Sequence, residues 1–162
     1  MIIPHSSLLQ RHAELISMPE EVVHRLHRAF ALEQPELSRQ LRDLDVVFFP
    51  GKVGRVYQLG IFAWLAFKGE GVSVKVIPEA LLMELFRQQS AWMAKSEQES
   101  EHRCWELLHQ TSKDHPQPYL LQWALKALQT TDEDPIFAPR ETIQAYHALD
   151  IVIRALDAAA AS

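Results

Sequence analysis

The chain has 162 residues, of which 48% are hydrophobic and 23% are charged, and its 16 Lys plus Arg against 21 Asp plus Glu give a net charge of -5. This length and composition predict a single globular domain over residues 1–162 and exclude a disordered or low-complexity chain. Because the balance is acidic and no block of Lys and Arg interrupts it, we do not expect a nucleic-acid partner.

Two helices are predicted in the first third of the chain. Pro19 suits the start of a helix, and Glu20 and Glu21 would lie in its first turn, where the helix dipole favours carboxylates. The apolar stripe of this helix consists of Val22, Leu26 and Ala29. Pro35 ends that run and begins a second helix, whose stripe consists of Leu37, Leu41 and Leu44. The two pieces predict a helical hairpin.

Two short strands are predicted in the middle of the chain. The first, Val46–Phe49, is a β-branched and aromatic run that ends at a Pro-Gly pair, and the second, Val72–Ile77, alternates with a period of two. Between them, residues 56–67 show a helical spacing of apolar side chains, but Gly60 and the β-branched and aromatic residues also allow a strand. If this stretch is a helix, the two strands should be adjacent and parallel.

The second half of the chain predicts helices throughout. A helix should begin at Pro78-Glu79, and residues 79–113 form either one helix or two, because the polar residues 95–101 could continue it or break it. Further helices are predicted around residues 121–128 and from Pro139 onward, with a loop over residues 130–139 between them. We therefore predict an α+β fold that is mainly α-helical, with five to seven helices around a small two-stranded β element. The alternative is an all-α bundle.

One loop carries a candidate anion site. Gly51, Lys52, Gly54 and Arg55 lie between a predicted strand and a predicted helix, where exposed backbone N–H groups and two cations could hold a phosphate. Neither the phosphate-loop pattern nor the dinucleotide-binding pattern is present. The competing interpretation is an ordinary glycine-containing turn with two solvated cations.

A repeated Glu-x-x-His spacing provides candidate metal ligands. Glu99, His102, Glu106 and His109 would share one strip of a continuous helix. A carboxylate and an imidazole three residues apart can bind one metal ion, but helical di-metal sites also draw ligands from other helices, and no such set can be assigned here. The competing interpretation is a solvated polar strip, and no cofactor is predicted.

The cysteine content and the hydropathy of the sequence indicate in which cellular compartment the protein is expected. Cys104 is the single cysteine, which excludes an intramolecular disulfide and fits a reducing environment, and we expect it in the core. The most apolar stretch, Leu59–Phe67, is about half as long as the roughly 20 residues that a membrane-spanning helix needs. The first residues lack the basic and apolar pattern of a secretory leader. We expect a cytoplasmic protein that does not insert into membranes.

The last predicted helix has a broad apolar face that includes Tyr146, Leu149, Ile153 and Leu156. Such a face suits either a central core helix or a contact with a second copy of the chain. Because no common hydrolase, zinc or redox motif is present, a non-enzyme is favoured over an enzyme. We predict a non-catalytic interaction or regulatory protein that acts through a helical surface as a homodimer. The alternatives are a binder or enzyme for a small anionic or phosphorylated ligand at Gly51–Arg55, and a helical metal-binding protein.

Overall fold

The computed structural model describes residues 1–48, 54–128 and 139–161, and every regular element in these ranges is an α-helix. The predicted mainly helical content is confirmed. The predicted β element is wrong for the described residues, to which the all-α alternative applies. No helix in these ranges has both the length and the apolarity needed to cross a membrane. The helices are α1 (His5–Ile16), α2 (Glu20–Glu33), α3 (Pro35–Phe48), α4 (Arg55–Gly69), α5 (Glu79–Glu97), α6 (Glu101–Lys113), α7 (Pro118–Leu128) and α8 (Pro139–Ala161).

The segment predicted as the first strand belongs largely to helix α3. Helices α2 and α3 pack against each other and meet at Gln34, so the predicted helical hairpin is confirmed. Leu37 and Leu41 are buried on the face of α3, and Asp45 is buried one turn further along the same face. This helical period continues the helix past Val46, which is 73% exposed, and overrides the local β preference of the sequence. Phe49 lies outside the described residues.

The second predicted strand, residues 72–77, is non-helical but pairs with no other strand in the described part of the chain. The fully buried side-chain amide of Gln34 lies against it instead. Its Nε2 donates to the carbonyl of Lys75 at 2.9 Å, and its Oε1 accepts from the backbone N–H of Ile77 at 2.9 Å. A residue of a neighbouring strand would make the same two hydrogen bonds. One side chain therefore replaces the predicted strand partner.

The two alternatives that the sequence left open are resolved. Residues 56–67 are helical, and α4 is buried on nearly all sides, which explains its lack of a polar face. Residues 79–113 form two helices, because α5 ends at Glu97 and α6 begins at Glu101. The side-chain oxygen of Ser100 accepts from the backbone N–H of Arg103 at 3.3 Å and caps α6.

Helix α8 lies at the centre of the fold and packs against α4, α5, α6 and α7. Its broad apolar face is therefore used inside the subunit. The predicted interface residues belong to this core, with an exposed fraction of 2% for Tyr146 and 0% for Leu149, Ile153 and Leu156. These side chains pack inside the subunit, where α8 meets four other helices, and a contact with a second copy stays a prediction. Cys104 is 1% exposed, as expected for a core position.

Candidate functional site

A groove of about 870 Å³ runs between helices α1, α2, α4 and α7. Its floor is largely apolar and includes Leu59 and Phe62 from α4 and Trp123 from α7. Its rim carries large apolar side chains that stay open to solvent, and several such residues around one groove are more informative than a single one. The exposed fractions are 54% for Leu9, 74% for Ile16 and 45% for Tyr119.

Aromatic packing makes the floor of the groove rigid. The rings of Phe62 and Trp123 stack at a centroid distance of 3.7 Å and an interplanar angle of 14°. The ring of His12 meets both edge-on, 6.3 Å from Phe62 and 5.7 Å from Trp123. Because Phe62 is 3% exposed and belongs to the buried helix α4, this part of the floor is built from the core. A ligand here would meet a preformed surface.

The groove differs in charge from the rest of the protein. None of the described residues that line it is Asp or Glu, although the chain has 21 of them. Its lining includes the cations Arg55 and Lys126 and the imidazoles of His5, His12 and His27. The Nη2 of Arg55 donates to the carbonyl of Ala127 at 3.5 Å, so Arg55 lies beside the last turn of α7, which also carries Lys126. We call this region the cationic end of the groove.

His27 lies in the wall of the groove and is half-buried. Its ring is 5.6 Å from the ring of Tyr57. Burial lowers the pKa of His27, and the nearby His24 and the Arg42 guanidinium lower it further. The imidazole is therefore neutral at pH 7 and offers a hydrogen-bonding group without a charge.

Two of the four residues of the predicted anion loop lie within the described part of the chain. Gly51 and Lys52 lie outside the described residues. Gly54 has a φ of 65°, a left-handed conformation that favours glycine, and Arg55 begins α4 and lines the groove. The start of α4 is already occupied by a carboxylate, because the backbone N–H of Tyr57 donates to Oδ2 of Asp45 at 3.0 Å. The helix N-terminus thus has fewer donors for a phosphate than predicted.

Asp45 carries out this capping from a buried position. Its exposed fraction is 9%, and burial raises the pKa of its carboxyl group, although hydrogen bonds from the backbone of Tyr57 and Val56 oppose that rise. Its second oxygen, Oδ1, has no hydrogen-bond partner among the described atoms. Asp45 therefore joins the end of α3 to the start of α4 and positions Arg55 at the groove.

The four candidate metal ligands do not share one helix. Glu99 lies in the break before α6, while His102, Glu106 and His109 are exposed on α6. The carboxylate of Glu106 lies 3.0 Å from His102 and 3.0 Å from Arg103, and the hydrogen bond from Arg103 is the main cause that lowers its pKa. Across residues 1–48, 54–128 and 139–161, no group of three or more His, Cys, Asp or Glu side chains is placed to hold a metal ion.

The structure also shows a buried polar cluster that the sequence analysis missed. Nε2 of His115 and Nε of Arg154 lie 2.7 and 2.9 Å from the same oxygen of Asp150. Nδ1 of His115 accepts from the backbone N–H of Gln117 at 2.9 Å, and the side chain of Gln117 in turn accepts from the backbone N–H of Ile3 at 2.9 Å. None of these residues lines the groove, and the side chain of His115 is fully buried. The cluster joins α8, the start of α7 and the first residues of the chain.

Comparisons of this chain with protein-family models, with curated proteins and with solved structures found no match. The groove is the candidate site on its own geometry. It combines a volume in the range of ligand sites, about 300–1,000 Å³, with an apolar lining and a few polar groups.

Proposed function

We propose that the protein is a non-catalytic interaction protein whose groove receives one amphipathic α-helix of a partner protein. The observation that carries this proposal is the size of the groove. A helix of three turns is about 16 Å long and 10–12 Å wide, which corresponds to roughly 1,300–1,800 Å³. A helix buried to half its depth would fill roughly 650–900 Å³. The groove, at about 870 Å³, has the volume that such a helix needs.

The length of the groove supports the same occupant. Helix α1 lines it with His5, Leu9, His12 and Ile16, which follow one face of the helix from its first residue to its last. These residues span about 16 Å at 1.5 Å per residue, which matches three turns of a bound helix. Apolar positions at i, i+3, i+4 and i+7 of that helix would meet the floor, as in other grooves that bind helices.

The lining supports binding over catalysis. The described residues around the groove include no Ser, Thr, Cys, Asp or Glu, so neither a Ser-His or Cys-His type of nucleophile nor a pair of carboxylates is formed there. The charges also favour a different chain over a second copy. In a symmetric contact of groove against groove, the described lining of each copy would bring no Asp or Glu to Arg55 and Lys126 of the other.

A small amphiphilic anion is the second candidate ligand. It is favoured by Arg55, whose Nε is buried without a hydrogen-bond partner among the described atoms. Of the residues in the predicted anion loop, Arg55 would contact this ligand, because it lines the groove. The volume of the groove lies near the upper end of the range for small-molecule sites, so a compact ligand would leave part of the apolar floor uncovered.

Leu9→Glu is expected to weaken helix binding at least tenfold. Leu9 is exposed on the rim, and a bound helix would have to bury the new carboxylate against an apolar surface. Binders would be selected from a displayed library of peptides of about 14 residues, with a fixed helical apolar stripe and randomised polar positions. Calorimetry would then compare the affinity of the selected peptides for the wild-type protein and for Leu9→Glu.

Met83→Glu is the matched control. Met83 is 61% exposed, occupies the fifth position of its helix as Leu9 does in α1, and does not line the groove. Both variants should unfold within about 0.5 kcal/mol of the wild type, because both positions are on the surface. If no selected peptide distinguishes Leu9→Glu from Met83→Glu, the proposal is wrong. If palmitate distinguishes them and peptides do not, the second candidate replaces it.

A further inference from the structure

We propose that the groove selects an acidic helix in one direction, with the acidic residues and the C-terminus of the bound helix at the cationic end. This inference rests on the proposed function and names the chemistry of its partner. The feature behind it is the uneven distribution of charge along the groove.

The two cations of the lining lie together. Arg55 is the first residue of α4, and Lys126 lies in the last turn of α7. The hydrogen bond of 3.5 Å from Arg55 to the carbonyl of Ala127 brings these two helix ends to the same place. Both positive charges therefore act on the same end of any bound helix.

At the opposite end of the groove, the lining residues that the structure describes carry no permanent charge. Tyr119 lies seven residues before Lys126 on α7, which is about 10 Å along the helix. The start of α1 lies near the start of α7, because the backbone N–H of Ile3 donates to the side chain of Gln117. This contact places His5 and Tyr119 toward the end of the groove away from Arg55. This end of the groove therefore presents an imidazole and a phenol, whereas the cationic end presents Arg55 and Lys126.

The cations of the groove differ from most other arginines in the described ranges. Arg11, Arg39, Arg87, Arg103 and Arg154 each have a nitrogen within 2.5–3.0 Å of a carboxylate oxygen on the same helix. Neither Arg55 nor Lys126 forms such a pair with a described residue, and no described acidic side chain lines the groove. A partner that brings carboxylates would provide the missing opposite charge.

The direction follows from the dipole of the bound helix. The C-terminal end of an α-helix carries about half a negative charge, which is stabilised by nearby cations. A helix whose C-terminal turn lies at Arg55 and Lys126 would place both its dipole and its acidic side chains against positive charge. The reversed helix would bring its positive N-terminal end to the same cations.

Two stapled peptides with the same apolar stripe and the same composition test this inference. One has three Glu in its C-terminal turn and three Gln in its N-terminal turn, and the other has the reverse order. A hydrocarbon staple at solvent-facing positions keeps both equally helical, which circular dichroism would verify. We expect the peptide with C-terminal Glu to bind about tenfold more tightly in 50 mM salt, and the difference to shrink in 500 mM salt.

Substitutions at the cationic end assign the effect to the named residues. The single variant Lys126→Gln should reduce the preference between the two peptides. The double variant Arg55→Gln with Lys126→Gln should reduce it further. Lys126 is exposed, so its single variant tests the inference even if the change at Arg55 affects folding. Arg28→Gln is the control, since Arg28 is exposed on α2 and does not line the groove.

The outcomes separate the two proposals. Equal binding of both peptides, with the Leu9→Glu effect retained, would overturn the directional inference and leave the proposed function intact. Tighter binding of the peptide with N-terminal Glu would also overturn it. If neither peptide binds in a way that depends on Leu9, the proposed function fails as well.

Discussion

His147→Leu is expected to reduce the loss of stability on acidification by about 2 kcal/mol between pH 7.5 and pH 5.0. His147 is 3% exposed on α8, and its ring lies 4.4 Å from that of Trp92 on α5. Neither ring nitrogen has a hydrogen-bond partner among the described atoms. Burial lowers its pKa to about 4, although the Asp150 carboxylate opposes that shift.

The sign of the effect follows from the two pKa values of His147. Above pH 6.5 the imidazole is neutral in both the folded and the unfolded chain, so it does not change the free energy of unfolding. Between pH 6.5 and about 4, the unfolded chain binds a proton that the folded chain does not. The free energy of unfolding therefore falls by about 1.4 kcal/mol per pH unit over this window. Below that window His147 causes no further loss.

Urea unfolding of the wild type and of His147→Leu at both pH values measures this contribution. His109→Leu is the matched control, because it makes the same change at a histidine that is exposed on α6 and lies outside the core. Titration of the other histidines and of the carboxylates is common to all three proteins and cancels. Equal losses for His147→Leu and the wild type would show that His147 does not stay neutral in the folded chain.

Gln34→Leu is expected to destabilise the fold by roughly 2–4 kcal/mol, because it leaves two backbone groups without partners. Gln34 is 0% exposed and bonds the carbonyl of Lys75 and the N–H of Ile77. Ile77 is itself fully buried, so water cannot replace the lost acceptor without opening the core. Leucine has a similar volume, which keeps the change in packing small compared with the loss of the amide.

Chemical unfolding measures the change in the free energy of unfolding of Gln34→Leu. Amide hydrogen exchange shows whether the change arises from the lost hydrogen bond at Ile77. The N–H of Ile77 should exchange faster in Gln34→Leu than in the wild type by more than the change in global stability explains. Gln110→Leu is the control, since Gln110 is exposed on α6 and the change should stay within about 0.5 kcal/mol. A loss below that value for Gln34→Leu would contradict the role assigned to the amide.

Local sequence patterns predicted most of the helices, but they did not predict contacts between residues that are distant in the sequence. The stripe of Leu37 and Leu41 and the breaks around Pro35 and Pro78 depend on neighbours along the chain, so the sequence shows them directly. The period-two pattern of residues 72–77 does not show that the amide of Gln34, about 40 residues earlier, replaces a strand. Local propensity cannot reveal such a partner.

The groove was less predictable than the fold. The sequence analysis named Arg55 as part of a candidate anion site in a loop, not as part of a groove. The other cation of that loop, Lys52, lies outside the described residues. Helix α1 was not predicted at all, although Leu8 and Leu15 repeat at a helical spacing of seven. The groove draws its walls from four helices that are distant in sequence, and its acid-free lining becomes visible only when they are assembled. No single segment carries that signal.

The central position of α8 has a consequence for synthesis of the protein. Helices α4, α5, α6 and α7 all pack against α8, which is synthesised after them. At 5–20 residues per second, translation of its 23 residues takes roughly one to five seconds. During that interval the apolar faces of α4, α5, α6 and α7 that meet α8 lack this partner. The core around α8 is therefore completed only after α8 has been synthesised.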